Sequence, residues 1–272
     1  MILNGITQKI SLVENFIKEQ GSAVIGLSGG VDSTLVTRIA HAVLGDDVLA
    51  VIGASATLPQ REMDEAIDLA KHIGVNYRIV ETNETDDLKF KSNPSDRCYF
   101  CKTELYSKLQ DIAQSEGFAC VLDGTNADDL GDYRPGLRAN KEQRVVSPLK
   151  EAGFTKDDIR SAAKQLGLPN WDKPAMPCLS SRFPYGQPIE LKALTQVEKA
   201  EMYLRDLGFR NCRVRHYDKT AKIEVPVDDL AQLIANENRE RITGRFREIG
   251  YIYVTVDLDG FASGNMNKVL KV

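Results

Sequence analysis

Apolar positions along this chain fall into two alternating rhythms. Ile6, Ile10, Val13, Phe16 and Ile17 recur at helical spacing, so residues 3–19 are predicted to form an amphipathic helix. Residues 22–27 are a short apolar run and are predicted to form a buried strand. Leu35, Val36, Ile39, Ala40, Val43 and Leu44 return to helical spacing. The alternation continues with a strand over 48–52, a helix through Met63, Ala66, Ile67, Ala70 and Ile73, and a strand over 76–80. A helix through Leu105, Leu109 and Ile112 and a strand over 119–122 follow. Strands alternating with helices imply right-handed crossovers and an α/β fold, a parallel doubly wound sheet covered on both faces. Ligands of such sheets sit at the carboxyl ends of the strands. That rule brings the turn at Ser28, the loop from Ala54 to Thr57 and the loop after Leu122 to one edge.

The pattern changes after a helix marked by Ile159, Ala162, Ala163 and Leu166. Periodicity stops between Leu168 and Pro188, a stretch that carries Pro169, Pro174, Pro177 and Pro184. The expected division is a first domain over 1–168, a linker and active-site loop over 169–188, and a smaller C-terminal α+β domain over 189–272 for substrate binding or oligomerisation. In the last of these a helix runs through Leu191, Leu194, Val197, Tyr203, Leu204 and Leu207. Two alternating segments over 212–216 and 221–225 come next, then one or two helices to Ile249 and a strand near 251–256.

A chain of 272 residues suits two domains of ordinary size. With 35 basic and 39 acidic residues the net charge is −4, so no global field favours nucleic acid, which is not an expected partner. No run approaches the ~20 apolar residues of a membrane span and no signal-peptide core opens the chain, so a cytoplasmic protein is expected. Its 5 cysteines, an odd number, argue against a disulfide framework and for metal, catalytic or simply buried thiols.

The candidate chemistry is densest at Ser28-Gly29-Gly30-Val31-Asp32-Ser33, a strand-to-helix turn. Two glycines allow a tight turn and close approach of a ligand, and the free N–H groups and positive end of the following helix attract an anion. The Walker phosphate-loop pattern is absent, because no lysine lies within the turn. The hexapeptide resembles the pyrophosphatase loop, or PP-loop, of enzymes that cleave ATP between the α and β phosphates. That resemblance implies ATP held by Ser28, Gly29, Gly30, Asp32 and Ser33, with Asp32 also helping to hold Mg2+.

Three further clusters qualify this picture. Asp123-Gly124-Thr125-Asn126-Ala127-Asp128-Asp129 follows a buried strand and reads either as a nucleotide loop, with Gly124 and Thr125 near a ribose or base, or as a solvated acidic turn. Backbone atoms near Ala54 and Ser55 are further candidates for adenine contact. Cys98-x2-Cys101 opens a helix, where the dipole favours thiolates, and Cys178 is the third cysteine outside a strand. Three thiolates leave one position open, which suits a four-iron cluster better than structural zinc; a redox pair or partly buried helical thiols are the other readings. Cys120 and Cys212 read as core residues, and His41, His72 and His216 are scattered. Arg213 and Arg215 leave one face of a predicted strand, as a phosphate site or as solvated surface charge.

At Cys178-x3-Arg182-Phe183-Pro184-Tyr185-Gly186, Asp132-Tyr133-Arg134-Pro135-Gly136, Tyr203-Leu204-Arg205-x-Leu207-Gly208-Phe209, Arg213-Val214-Arg215 and Asp257-Leu258-x-Gly260-Phe261 the chain resembles the LarE family of ATP-dependent sulfur transferases. The resemblance covers nearly the whole length. It implies adenylation of a carboxylate of pyridinium-3,5-biscarboxylic acid mononucleotide and its conversion to a thiocarboxylate, during assembly of the nickel-pincer nucleotide of lactate racemase. It further implies a [4Fe-4S] cluster on Cys98, Cys101 and Cys178, as in the three-cysteine branch of the family. The alternatives are sacrifice of the Cys178 sulfur, or a PP-loop tRNA thiolase. By the same resemblance Lys102, Arg134 and Arg182 would stabilise phosphate or adenylate charge, and Arg213 and Arg215, oriented by Glu201, would bind the substrate phosphate. A homo-oligomer, with a hexamer as the expectation, completes what the resemblance implies.

Overall fold

The computed structural model describes residues 2–131, 135–174, 176–262 and 265. The chain forms two compact units, one of Met1–Glu84 with Asp96–Met176, the other of Thr85–Ser95 with Pro177–Val272.

The first unit opens with α1 (Ile2–Gln20), β1 (Ala23–Gly26), α2 (Val31–Leu44), β2 (Val48–Ala54), α3 (Gln60–Ile73) and β3 (Asn76–Glu81). A short excursion carrying α4 (Leu88–Lys91) belongs to the second unit. The first unit then resumes with α5 (Arg97–Glu116), β4 (Cys120–Leu122), α6 (Gly136–Glu142), α7 (Pro148–Glu151) and α8 (Lys156–Gln165). Its strands are parallel in the order β3-β2-β1-β4.

That order dictates which face each helix covers. From β1 to β2 to β3 the chain steps one way across the sheet, and from β3 it returns past β1 to β4. Right-handed crossovers therefore put α2 and α3 on one face and α5 on the other. The side chains agree: Ala23, Ile25, Ala50 and Ile52 pack with Leu35, Ile39, Ala66 and Ala70, whereas Val24, Leu49, Val51 and Val121 pack with Leu109 and Ala113. Because both faces are covered there, β1, β2 and β4 are continuous apolar runs, whereas β3 at the sheet edge is largely exposed. The step direction reverses between β1 and β4, so the crevice of the sheet lies between the turn after β1 and the loop after β4.

The second unit adds α9 (Leu191–Asp206), β5 (Arg213–Tyr217), β6 (Thr220–Glu224), α10 (Leu230–Ile234), α11 (Asn236–Ile249) and β7 (Tyr253–Val256). Its sheet runs β5-β6-β7, antiparallel then parallel, over a core that includes Leu204, Phe209, Cys212, Val214, Ile223 and Phe246. Cys212 is a core residue, its thiol pushed up to about 12 by burial and then by the neighbouring Glu201 charge.

Residues 169–188 do not stand apart as a linker. Asn170 and Lys173 both donate to the Gly29 carbonyl of the first unit, at 3.2 Å each. From Pro177 onward the segment belongs to the second unit and pairs with the excursion, through Gly186 N to Asn93 O at 2.9 Å and Ile189 N to Lys91 O at 2.9 Å. These pairings join residues about ninety apart in sequence and leave no local signal.

Candidate active site

The turn after β1 is held by its own hydroxyls. Ser33 Oγ accepts from Ser28 N at 3.2 Å and lies 3.1 Å from Ser28 Oγ, and Thr34 Oγ1 donates to Gly30 O at 2.8 Å. Gly29 has φ +74°, and a Cβ there would meet the Ala66 Cβ of α3 at 3.3 Å, so both conformation and space call for glycine. Gly30 N meets Ser28 Oγ at 3.4 Å, a long contact that a stronger acceptor would displace. Asp32 sits half-buried in the first turn of α2.

Gly124 closes the crevice from the β4 side. A Cβ on it would lie 2.6 Å from Ser33 N and 2.8 Å from Asp32 C, so only glycine lets this loop abut the first turn of α2. We expect Gly124→Ala to force the two apart, costing about 1–3 kcal/mol of stability and most nucleotide affinity. Chemical denaturation alongside nucleotide titration checks this; unchanged nucleotide affinity would contradict it.

Asp123, beside it, is buried and its carboxylate is fully engaged. Oδ2 accepts from Tyr106 Oη at 2.9 Å, Thr125 Oγ1 at 2.6 Å and Asn140 Nδ2 at 2.5 Å; Oδ1 accepts from Ser147 Oγ at 2.7 Å. The loop is therefore not a solvated acidic turn, and the Thr125 hydroxyl is committed to Asp123. Burial first, and then the Asp123 charge, hold the Tyr106 phenol well above its ordinary pKa. Lys102 lays its stem against Gly136 and its ammonium 5.6 Å from the Tyr106 ring. Ser55, after β2, is half-buried and donates to Glu84, which also accepts from Thr57 at 3.0 Å. Arg134 lies outside the described residues.

All five cysteines are thiols. Cys98 is exposed and Cys101 partly so, three residues apart at the start of α5 and so on one helical face. Soft thiolates at that spacing suit two ligands of an iron–sulfur cluster. Among the described residues no three His, Cys, Asp or Glu side chains are gathered as a metal site. Cys178, in the second unit, is partly exposed and caps a short turn over Leu179–Arg182.

Arg182 departs from the expected phosphate contact. It is 0% exposed, with Nε and Nη2 bidentate on Glu201 at 2.8 and 2.9 Å. Nη1 donates to Pro177 O at 2.6 Å and Cys178 O at 3.0 Å, so the guanidinium fastens the cysteine turn to α9. Glu201 also has further partners: Arg205 Nη2 donates to it at 2.9 Å and Val214 N at 3.0 Å, and the Arg213 charge acts on its carboxylate as well. Arg213 and Arg215 are buried and not solvated surface charges. Burial first, then repulsion from Arg182, brings Arg213 down to about 10, so it stays charged at neutral pH. Arg215 is oriented by Glu224 at 2.7 Å, across the β5–β6 pair, and donates to Ser181 O at 2.8 Å. Of the partners that sequence reading missed, Glu84, Asn140, Asn170 and Lys173 act through long-range pairing, and Glu224 acts across the β5–β6 hairpin. Only the Asp-Gly-Thr turn after β4 left a readable trace.

A family model for NAD synthase matches residues 6–111, the span from α1 into α5. An uncharacterized protein of Synechocystis sp. is 43% identical, covering 97% of this chain and 99% of its own. The pyridinium-3,5-bisthiocarboxylic acid mononucleotide synthase of Lactiplantibacillus plantarum is 42% identical over 97% of this chain and 95% of its own. An uncharacterized protein of Methanocaldococcus jannaschii is 30% identical, over 94% and 98% respectively. Near-complete coverage of both chains extends the likeness past the nucleotide fold into the unit that carries Cys178, Arg213 and Arg215, and the chain belongs to the LarE family of PP-loop, ATP-dependent sulfur transferases.

Proposed function

We propose that this chain adenylates a carboxylate of pyridinium-3,5-biscarboxylic acid mononucleotide and exchanges it for a thiocarboxylate, a step toward the nickel-pincer nucleotide of lactate racemase. The observation that carries the reading is the glycine turn pressed against Gly124 at the switch point of the sheet, an anion cradle at the N-terminus of α2. The name of the Lactiplantibacillus plantarum relative gives its product as a pyridinium bisthiocarboxylic acid mononucleotide, and the biscarboxylate is the substrate inferred from it.

In this reading Ser28, Gly29, Gly30 and Ser33 cradle the β and γ phosphates, Asp32 holds Mg2+, and Lys102 and Arg134 offset phosphate charge. Ser55, Gly124 and Thr125 bound the nucleoside. A substrate carboxylate oxygen attacks the α phosphorus and pyrophosphate leaves; a sulfur nucleophile then attacks the acyl carbon and AMP leaves. Cys98, Cys101 and Cys178 would hold a [4Fe-4S] cluster, which when bound would supply that sulfur. Arg182 acts by positioning Cys178, and the buried Arg213 and Arg215 take the substrate phosphate. The functional form is a homo-oligomer, read as a hexamer.

Pyrophosphate release from Mg-ATP, assayed with and without the biscarboxylate mononucleotide, tests the first step. Release that depends on the substrate is expected. Release that substrate does not change, or that RNA stimulates instead, would overturn the reading in favour of an idle nucleotide site or a tRNA thiolase.

A further inference from the structure

Behind the glycine turn lies a buried charge cluster that the proposed reaction leaves without a role. Lys173 Nζ bridges Glu62 and Glu65 of α3 at 2.8 Å each and also donates to Gly29 O at 3.2 Å. The Lys173 and Glu62 side chains are only 13% and 9% exposed, so water screens this cluster weakly. Burial opposes ionisation of Glu65, but hydrogen bonds from Lys173 and Arg61 outweigh it and keep the carboxyl below its ordinary pKa.

Asn170 reinforces the same point. Its Nδ2 donates to Gly29 O at 3.2 Å and to Thr34 Oγ1 at 3.0 Å, while Thr34 Oγ1 passes its own proton to Gly30 O at 2.8 Å. Among the described residues Asn170 Oδ1 is buried with no hydrogen-bond partner, a cost that a residue placed only for packing would avoid. Two successive carbonyls of the turn are thus tied down from behind. In a trans peptide the C=O and the next N–H point in opposite directions. Holding Gly29 O against Lys173 and Asn170 therefore turns Gly30 N–H outward, and holding Gly30 O does the same for Val31 N–H.

We propose that Lys173, with Asn170, is a positioning residue for ATP: it aims the N–H groups of the pyrophosphate loop at the phosphates and cancels the Glu62 charge behind them. Removing it would release the Gly29 peptide and leave the buried Glu62 carboxylate and the partly exposed Glu65 facing a polyanion. The effect is confined to the phosphate end of the nucleotide. This inference rests on the glycine turn being the ATP site.

Equilibrium binding of Mg-α,β-methylene-ATP and of AMP, measured on folded protein, separates the two ideas. Lys173→Met is expected to weaken the triphosphate analogue about tenfold or more while leaving AMP nearly unchanged, since charge-assisted contacts to phosphate are the ones lost. Lys173→Arg should retain most of the affinity, and adding Glu62→Gln to Lys173→Met should restore part of it. Asn170→Ala, which keeps every charge, should give a smaller loss of the same kind. Equal loss for both nucleotides, or no loss for either, would overturn the clamp. A wild-type protein that binds neither nucleotide would instead overturn the ATP-site reading beneath it.

Discussion

Replacing Cys178 by alanine is expected to abolish thiocarboxylate formation, by roughly a thousandfold or more, while substrate-dependent pyrophosphate release continues. The two half-reactions draw on different residues. In the proposed reaction adenylation would use the turn after β1 and the Gly124 loop, in the first unit, whereas Cys178 lies in the second on a turn whose carbonyl Arg182 holds at 3.0 Å. Mass analysis of the product beside a pyrophosphate assay checks both. Cys98→Ala distinguishes the sulfur routes: loss of sulfur transfer there supports the three-cysteine cluster, and survival of a single turnover points to the Cys178 sulfur itself. Full transfer by Cys178→Ala would remove all three cysteines from the proposal.

The largest stability loss should come from Glu201→Ala. Arg182 would then be left fully buried without its carboxylate, and Arg205 and Val214 N would lose their acceptor. Stranding one partner of a buried ion pair costs about 3–5 kcal/mol. Arg182→Met with Glu201→Leu should recover part of that loss, because well-packed apolar side chains replace a buried pair at little cost. Acid provides a second readout. Burial opposes ionisation of Glu201, yet Arg182 and Arg205 hold its pKa in the folded protein below the ordinary value of 4.5. The unfolded state therefore takes up the proton first as pH falls. The stabilisation from Glu201 is complete above about pH 4.5 and drains away below it, toward the lowered folded value. Urea midpoints should fall in that window for wild type and fall less for Glu201→Gln; parallel curves would contradict this assignment.

The first unit was legible because its rules are local. Short apolar runs separated by helical stripes imply the parallel order of strands and helices, and the strand-end position of Gly29 and Gly124 marks both as ligand-facing. The one-residue shifts of β5 and β6 from the predicted segments follow from turns whose pairing decides the ends. What sequence did not disclose was pairing at a distance. The excursion over 85–95 folds with residues near 183–189, and nothing in either stretch announces the other. Arg182 looked like a ligand residue because arginine near a reactive cysteine suits phosphate, but its guanidinium is used inside the protein. Arg215 shows the converse, a residue whose expected partner, Glu201, is replaced by Glu224 across the β5–β6 pair.

The most direct test of the account is the product made by protein prepared without oxygen and given Mg-ATP, the biscarboxylate mononucleotide and isotopically labelled sulfide, with iron assayed on the same sample. Labelled thiocarboxylate in excess of one sulfur per chain is expected, together with bound iron that Cys98→Ala loses. Pyrophosphate release with no sulfur in the product, from protein that holds iron, would contradict it.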